Sequence, residues 1–499
     1  MKPTGFHFSF STPVLALALA GCAVGPDFHA PKAPAVPLTA DPLPARTAQA
    51  GGVAQGFAQG ADIEGDWWHL FQSPALDALL KQGLANSPTL AAAQQNLVLA
   101  EEQVREGEGA LLPTISISGN YQHQVASTAA TAAFGNPPSK NPFSAYTLYQ
   151  GSIGVSYDID LFGRARRGIE QQEALAQYQR EELEAAYLSL TGNLVQAAVL
   201  DAQYHDEIVA TQKIIADEAR MLAIVQAQVA DGAAAPAAAL QQQAALAQQQ
   251  AALPPLQAAL AAERNQIAAY VGAFPGAFHE QDFTLASLTL PANVPVSVPS
   301  QILLQRPDIR AATATLHADT AAVGVADANM LPQITLSGDI GHEAINTATL
   351  FTPQTLLWSV MAGVTQPIFE GGILSAQRKE AIATMKAAGA QYQATVVSAF
   401  QNVADALSAL ETDAAEVAAA DAASTAAARS LAVTEAQYKL GGQPLTAVLN
   451  AQVSAESAQI NDIKARAARL SDTAALYVAM GGGWWHRQDV NQKCCGLIP

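Results

Sequence analysis

Hydrophobic and polar residues alternate in two matching passages of this chain, and the pattern around each is the same. Leu112-Pro113-Thr114-Ile115-Ser116-Ile117-Ser118-Gly119 returns as Leu331-Pro332-Gln333-Ile334-Thr335-Leu336-Ser337-Gly338. Each passage follows a long Ala/Gln-rich helical run. Each precedes a polar loop, a second alternating segment and another long helical run. One unit of about 200 residues is therefore built twice.

The first unit is assigned to residues 61–290. Ser73-Pro74 starts a helix that runs to about Gly83, with proline where its missing N–H costs nothing. A second helix runs from Asn86-Ser87-Pro88 to about Gly109. A strand hairpin is expected over 111–161, its loop at 125–145 far longer than an ordinary turn. A long helix pair follows over 165–272, turning at Asp231-Gly232. Its first arm is ~100 Å long if unbroken. Pro254-Pro255 predicts a kink or break in the second arm. The second unit, 291–481, repeats the order: helix 300–328, hairpin 333–368, long helix pair 373–480 turning at Gly441-Gly442-Gln443-Pro444. Residues 291–299 read as an extended linker, 22–60 as an extended tether and 482–499 as a disordered tail.

The fold class is membrane α+β. Four strands cannot close a barrel within one chain, and an open edge is not tolerated in lipid. Three copies, a homotrimer, would supply twelve strands, a plausible closed barrel; a soluble helical protein carrying two hairpins is the other reading. The apolar fraction is 50%, but Ala supplies much of it and Gln interrupts each Ala run. Such helices suit a hollow assembly better than a thick core.

The ends add a second membrane signal. Residues 1–21 form a signal peptide with an apolar core at 11–20. Leu19-Ala20-Gly21-Cys22 resembles a bacterial lipoprotein processing box, which would leave Cys22 as a lipidated N-terminus. Ala23, rather than an aspartate, then favours export to the outer membrane in that class. Cys494 and Cys495 lie in the C-terminal tail without ligand partners, so no metal is expected. Apart from the covalent lipid on Cys22, no cofactor is expected.

The net charge is −18, from 43 acidic and 25 basic residues, and no basic stripe offers itself to nucleic acid. No enzyme chemistry assembles either. Asp158 and Asp160 share a strand face but lack a nucleophile or metal ligand nearby. With Arg164, Arg166 and Arg167 just beyond them, they predict ion pairing where strand becomes helix. Gly163 and Gly371-Gly372 would permit the change of direction. Arg306-Pro307-Asp308-Ile309-Arg310 reads as a helix start, with Asp308 at the positive end and Arg306 and Arg310 on one face. The histidines are scattered, and no phosphate-binding loop occurs.

Four motifs carry a specific resemblance. They are Trp68-His69-Leu70-Phe71 with Leu76, Leu79 and Leu80; Tyr157-Asp158-Ile159-Asp160-Leu161-Phe162-Gly163-Arg164; Arg306-Pro307-Asp308-Ile309-Arg310; and Gln366-Pro367-Ile368-Phe369-Glu370-Gly371-Gly372. Together they resemble the outer-membrane factor (outer membrane efflux protein) family, in its lipoprotein branch serving resistance-nodulation-division pumps. The resemblance implies a trimeric channel-tunnel, with a twelve-stranded barrel in the outer membrane and a long α-helical barrel in the periplasm. It implies two partners, a periplasmic adaptor (membrane fusion) protein and an inner-membrane proton-driven efflux transporter. The channel itself would conduct drugs or other small molecules passively. A type I protein-secretion outlet and a non-conducting structural envelope lipoprotein are the alternatives.

The resemblance also assigns places. Asp231, Gly232, Gly441 and Gly442 would form the periplasmic tips that dock the adaptor. Gln443, Leu445, Leu449 and Asn450 are the candidate aperture. The family often carries carboxylates just after the second tip, where this chain has Ala447 and Asn450. The loops at 125–145 and 343–354 are expected at the cell exterior.

Overall fold

The computed structural model of the protein describes residues 23–32, 36–37, 42, 44–125, 145–278, 282–296, 302 and 304–487. Cys22, the loop at 126–144 and residues 488–499 lie outside the described residues. The strands are β1 (Gly56–Gln59), β2 (Thr114–Val125), β3 (Ala145–Ile159), β4 (Asn293–Val296), β5 (Gln333–Ala344) and β6 (Leu356–Thr365). The helices are α1 (Pro74–Asn86), α2 (Pro88–Gly109), α3 (Arg164–Ala230), α4 (Pro236–Tyr270), α5 (Pro307–Ala328), α6 (Ile373–Lys439) and α7 (Leu445–Ala479). The duplication appears in the lengths. α2 and α5 each have 22 residues, α3 and α6 each 67, and α4 and α7 each 35. Pro254 and Pro255 lie inside α4, which runs on through them. Of the expected kink or break, the break does not occur: the pair deletes two N–H donors without ending the helix.

The chain divides into two compact units. The first joins residues up to Ala30 with Val98–Gln177 and Thr313–Ala390, and it holds an antiparallel sheet in the order β2-β3-β5-β6. Register fixes its two faces. Ile117 pairs with Ile153, Ile153 with Ile340 and Ile340 with Trp358, making an apolar row across all four strands. The next row is Ser116, Gly154, Asp339 and Ser359. Ile115, Ile117, Trp358, Val360 and Val364 are exposed on the apolar face. β2 and β6 are the edges.

The second unit, Pro31–Leu97, Tyr178–Ala312 and Gln391–Pro499, carries the main hydrophobic core. Trp67, Phe71, Leu76, Leu80, Leu194, Leu407, Leu410 and Tyr477 are buried there, each large side chain worth roughly 1.5–3 kcal/mol. Trp67 stacks on Tyr477 at 5.3 Å. The Trp67–Phe71 stretch is a 3-10 turn in front of α1. Gly83 faces Leu194, and a Cβ there would come within 2.5 Å of the Leu194 side chain.

The segments read as an extended tether and an extended linker are built into this unit. β1 pairs in parallel with β4, so neither the tether nor the linker is free along its whole length. Arg469 of α7, almost fully buried, donates to Ala50 O at 2.9 Å, Val53 O at 3.2 Å and Gln55 Oε1 at 3.2 Å. Gln55 Nε2 donates to Thr473 Oγ1 at 3.2 Å. At the other end, residues 482–487 depart from the expected disorder. Trp484 is buried and donates to Gln305 O at 2.7 Å, while Arg487 pairs with Glu184 at 2.7 Å.

Candidate functional site

The polar face of the sheet belongs to the first unit. It presents Ser116, Ser118, Asn120 and Gln122 on β2, Gln150, Ser152, Ser156 and Asp158 on β3, and Thr335, Ser337, Asp339 and Glu343 on β5. Hydroxyls tie it together: Ser118 Oγ and Ser152 Oγ are 2.9 Å apart, and Thr335 Oγ1 donates to Asp158 Oδ1 at 2.8 Å. Strand alternation alone places these groups opposite the isoleucines. One face is thus suited to lipid and the other to water.

Below the sheet the strand-to-helix junction is fixed by charge. Asp160 Oδ2 accepts from Arg166 N at 3.0 Å and Nε at 3.2 Å. Arg164 approaches Asp158 at 3.9 Å. Gly163, Gly371 and Gly372 have φ of 82°, 62° and 89°, the left-handed region that glycine tolerates best. Arg167, which sequence reasoning grouped with these pairs, turns elsewhere. It is buried, and it holds Val24 O at 3.2 Å, Asp27 at 2.7 Å and Glu170 at 2.7 Å. The Arg167 hydrogen bond holds the Asp27 carboxyl below its usual range. Glu170 also meets His317 at 3.0 Å, and Phe28 stacks on that imidazole at 4.4 Å.

In the second unit, Arg306 does not share a helix face with Arg310, because α5 begins at Pro307 and Arg306 stands just outside it. Arg306 grips both oxygens of Asp308, at 3.1 and 2.7 Å, and donates to Ala479 O. Arg310 reaches Glu181 at 2.8 Å and lies over the Trp484 ring at 4.9 Å. This cluster joins α3, α5 and the end of α7.

The helix turns close identically. Ala233 N donates to Gln228 O at 2.7 Å and Gly232 N to Val229 O at 3.1 Å. Gly442 N donates to Gln437 O at 2.8 Å and Gly441 N to Tyr438 O at 2.9 Å. Both are Schellman caps, with Gly232 (φ 72°) and Gly441 (φ 76°) in the left-handed position. Gly442 therefore corresponds to Ala233, and Gly441 to Gly232. Asp231, Gly232, Gly441, Gly442 and Gln443 are exposed.

Of the aperture candidates, Leu445 is buried with Met221, Val225 and Val448, and Leu449 packs against that cluster. Asn450 and Gln443 are exposed. Tyr438 Oη donates to Gln228 Oε1 across the same helix ends. Further along, Glu218 of α3 accepts from Gln242 of α4, and Glu456 of α7 accepts from Gln249 at 2.5 Å. Burial, with Glu456 beside it, pushes the Glu218 carboxyl up to about 7. Sequence reasoning missed this layer; its one trace was a Glu in an otherwise uncharged stretch of α7. Among the described residues, no group of three or more His, Cys, Asp or Glu is placed to hold a metal ion.

The outer membrane efflux protein family profile matches residues 79–273 and 298–482, and the chain belongs to that family. It is 28% identical over 498 residues to the antibiotic efflux pump outer membrane protein ArpC of Pseudomonas putida, covering 98% of each chain. It is 25% identical over 477 residues to the cation efflux system protein CusC of Escherichia coli, covering 94% of this chain and 97% of that one. The open-state MtrE outer membrane channel of Neisseria gonorrhoeae superposes with a TM-score of 0.78 at 25% identity, covering 93% of this chain and 99% of that one. The protein is an outer-membrane efflux channel with the family's mixed α+β fold, and it conducts passively.

Proposed function

We propose that three copies of this chain close one pore, each supplying β2, β3, β5 and β6 to a twelve-stranded barrel. The observation that carries this reading is the sheet itself, with an exposed apolar face, a hydroxyl-rich opposite face and unpaired edges at β2 and β6. Joining edges between copies satisfies every backbone group in lipid, and no single copy can do so. The pore belongs to a tripartite pump for drugs or other small molecules, with an adaptor docked at Asp231, Gly232, Gly441 and Gly442 and a proton-driven inner-membrane transporter beyond it. The aperture is formed by exposed Gln443 and Asn450, with Leu445 and Leu449 packing behind them. Residues 1–21 are the signal peptide, and Cys22 carries the lipid of the lipoprotein branch. The anchored course of residues 23–27 supports that assignment, since Val24 N donates to Phe162 O at 3.1 Å, next to the last residues of the strand. Light scattering of the detergent-extracted protein tests the assembly: three chains per particle are expected, and a stable monomer contradicts it. Mass spectrometry tests the anchor, for which an unmodified Cys22 at the mature terminus is the contrary result.

A further inference from the structure

A polar layer crosses the second unit where α3, α4 and α7 meet, next to the cluster of Met221, Val225 and Val448. Glu218 of α3 is buried and accepts from Nε2 of Gln242 on α4, itself fully buried. Glu456 of α7 accepts from Gln249 Nε2 of α4 at 2.5 Å. The two carboxyls are also hydrogen-bonded to each other. Two carboxylates have no donor between them, so that bond needs a proton. Donors are scarce around it. Gln242 Oε1 and Gln452 Oε1 are buried without a donor among the described residues, and Gln452 stands one turn before Glu456 on α7. A protonated carboxyl adds a donor to this layer, and an ionised one removes it.

The charges nearby favour the proton as well. Burial, then Glu456, pushes the Glu218 carboxyl up to about 7, and Asp217, which is bonded to Arg220, adds to the effect. No lysine, arginine or histidine among the described residues acts on either carboxyl. On α6, residues 421–439 bear Asp421, Arg429, Glu435 and Lys439, with Arg429 and Lys439 exposed. Beyond the layer α4 has a weak point. Pro254 and Pro255 lack the N–H groups that would bond Gln250 O and Ala251 O. Their counterparts in α7, a helix of the same 35 residues, are Ile463 and Lys464, so the second repeat has no such point.

We propose that Glu218 and Glu456 share one proton as a latch across α3, α4 and α7, and that its release frees the α4 arm between the turn at Gly232 and Pro254 to swing and widen the tunnel end. The inference rests on the trimeric-pore reading. Gln242 and Gln249 tie the arm to the two carboxyls, and the proline pair is where bending it costs least. With the proton gone, two buried like charges face each other and repel. In the swung arm the carboxyls meet water and titrate near the ordinary ~4.5. The closed latch is therefore fully favoured below that value and is undone as pH rises through about 7. Between pH 6 and pH 8 the open-to-closed ratio of each copy should rise about tenfold.

Distances between spin labels, one per copy, in purified full-length trimers carrying Cys494→Ser and Cys495→Ser test the proposal. Gln241→Cys puts the label on the exposed side of the α4 arm about 20 Å from Pro254, so a swing of ~20° moves it ~7 Å. Ala258→Cys puts it beyond the prolines. From pH 6 to pH 8 the long-distance share of the Gln241→Cys pairs should grow several-fold, while the Ala258→Cys pairs keep their distance. E218Q/E456Q is uncharged at both pH values and should hold the pH 6 distribution at pH 8. If that variant does not assemble, Glu456→Gln alone should cut the pH response at least twofold. Distances that ignore pH, or that respond as strongly in the neutralised variant, overturn the latch. Equal movement at Gln241 and Ala258 overturns the swing about the prolines. Wild-type protein that forms no trimer overturns the assembly reading itself.

Discussion

Ala23 rests against Gly163: a Cβ on that glycine would come within 2.7 Å of both the Cα and Cβ of Ala23. The start of the described chain is thereby seated at the foot of β3, and Arg167 clamps it from the other side. Arg167→Ala removes its three acceptors' shared donor, and Gly163→Ala fills the seat. Either change should speed hydrogen exchange at the Val24 amide at least tenfold. Unchanged protection would mean the segment is held by something other than this clamp.

A second anchor is centred on Arg469. Arg469→Met keeps the bulk but leaves Ala50 O, Val53 O and Gln55 Oε1 without that donor. The expected loss is about 3 kcal/mol, from buried acceptors left unpaired. Arg466→Met, whose partners Asp421 and Asp462 are on a half-exposed surface, should cost under about 1 kcal/mol. Denaturant melts of the two variants in detergent compare them directly, and equal losses would contradict the assignment.

Two buried carboxyls set a pH dependence. Glu218 faces Glu456 and Asp217, and Asp413 faces Asp472, Glu416 and Arg469; burial is the main cause that pushes each up to about 7. The folded state therefore holds protons that the unfolded chain releases near pH ~4.5 for Glu and ~4 for Asp. Their contribution is fullest below those values and is lost as pH rises through about 7. Thermal melts should give a higher midpoint at pH 6 than at pH 8. Glu218→Gln and Asp413→Asn should each flatten that difference; a wild-type midpoint that does not fall across this range contradicts the assignment.

The tips separate docking from conduction. Gly442 is exposed and outside the left-handed region, so Gly442→Trp adds bulk without strain, whereas Gly232→Trp adds about 1 kcal/mol of backbone cost. Both should weaken capture of the adaptor by the reconstituted channel at least tenfold. Gly442→Trp should leave the melting midpoint within about 1 °C, given how little ~0.2 kcal/mol moves it. Retained capture by both variants would place the docking surface elsewhere.

The long elements were legible in the sequence because their signals are local. Alternation marked β2, β3, β5 and β6, long stretches with no helix stop marked α3 and α6, and Gly232 and Gly441 marked the turns. What escaped depends on partners far away in the chain. β1 exists only because β4 lies beside it, and Arg469 looks like any helical arginine until Ala50 and Val53 come to it. Arg306 and Arg310 have helical spacing, yet Pro307 starts the helix between them. At the mouth, Leu445 and Asn450 were grouped by position, and only packing against Val225 distinguishes the buried one from the exposed one.

Single-channel recording tests the central claim most directly. Purified trimers of the full chain, inserted into planar bilayers, should give discrete conductance steps. Asn450→Asp adds three like charges around the exposed mouth and should raise the step size or open time through their repulsion. Trimers verified in the bilayer that conduct neither as wild type nor as Asn450→Asp would contradict a through-pore built from this chain.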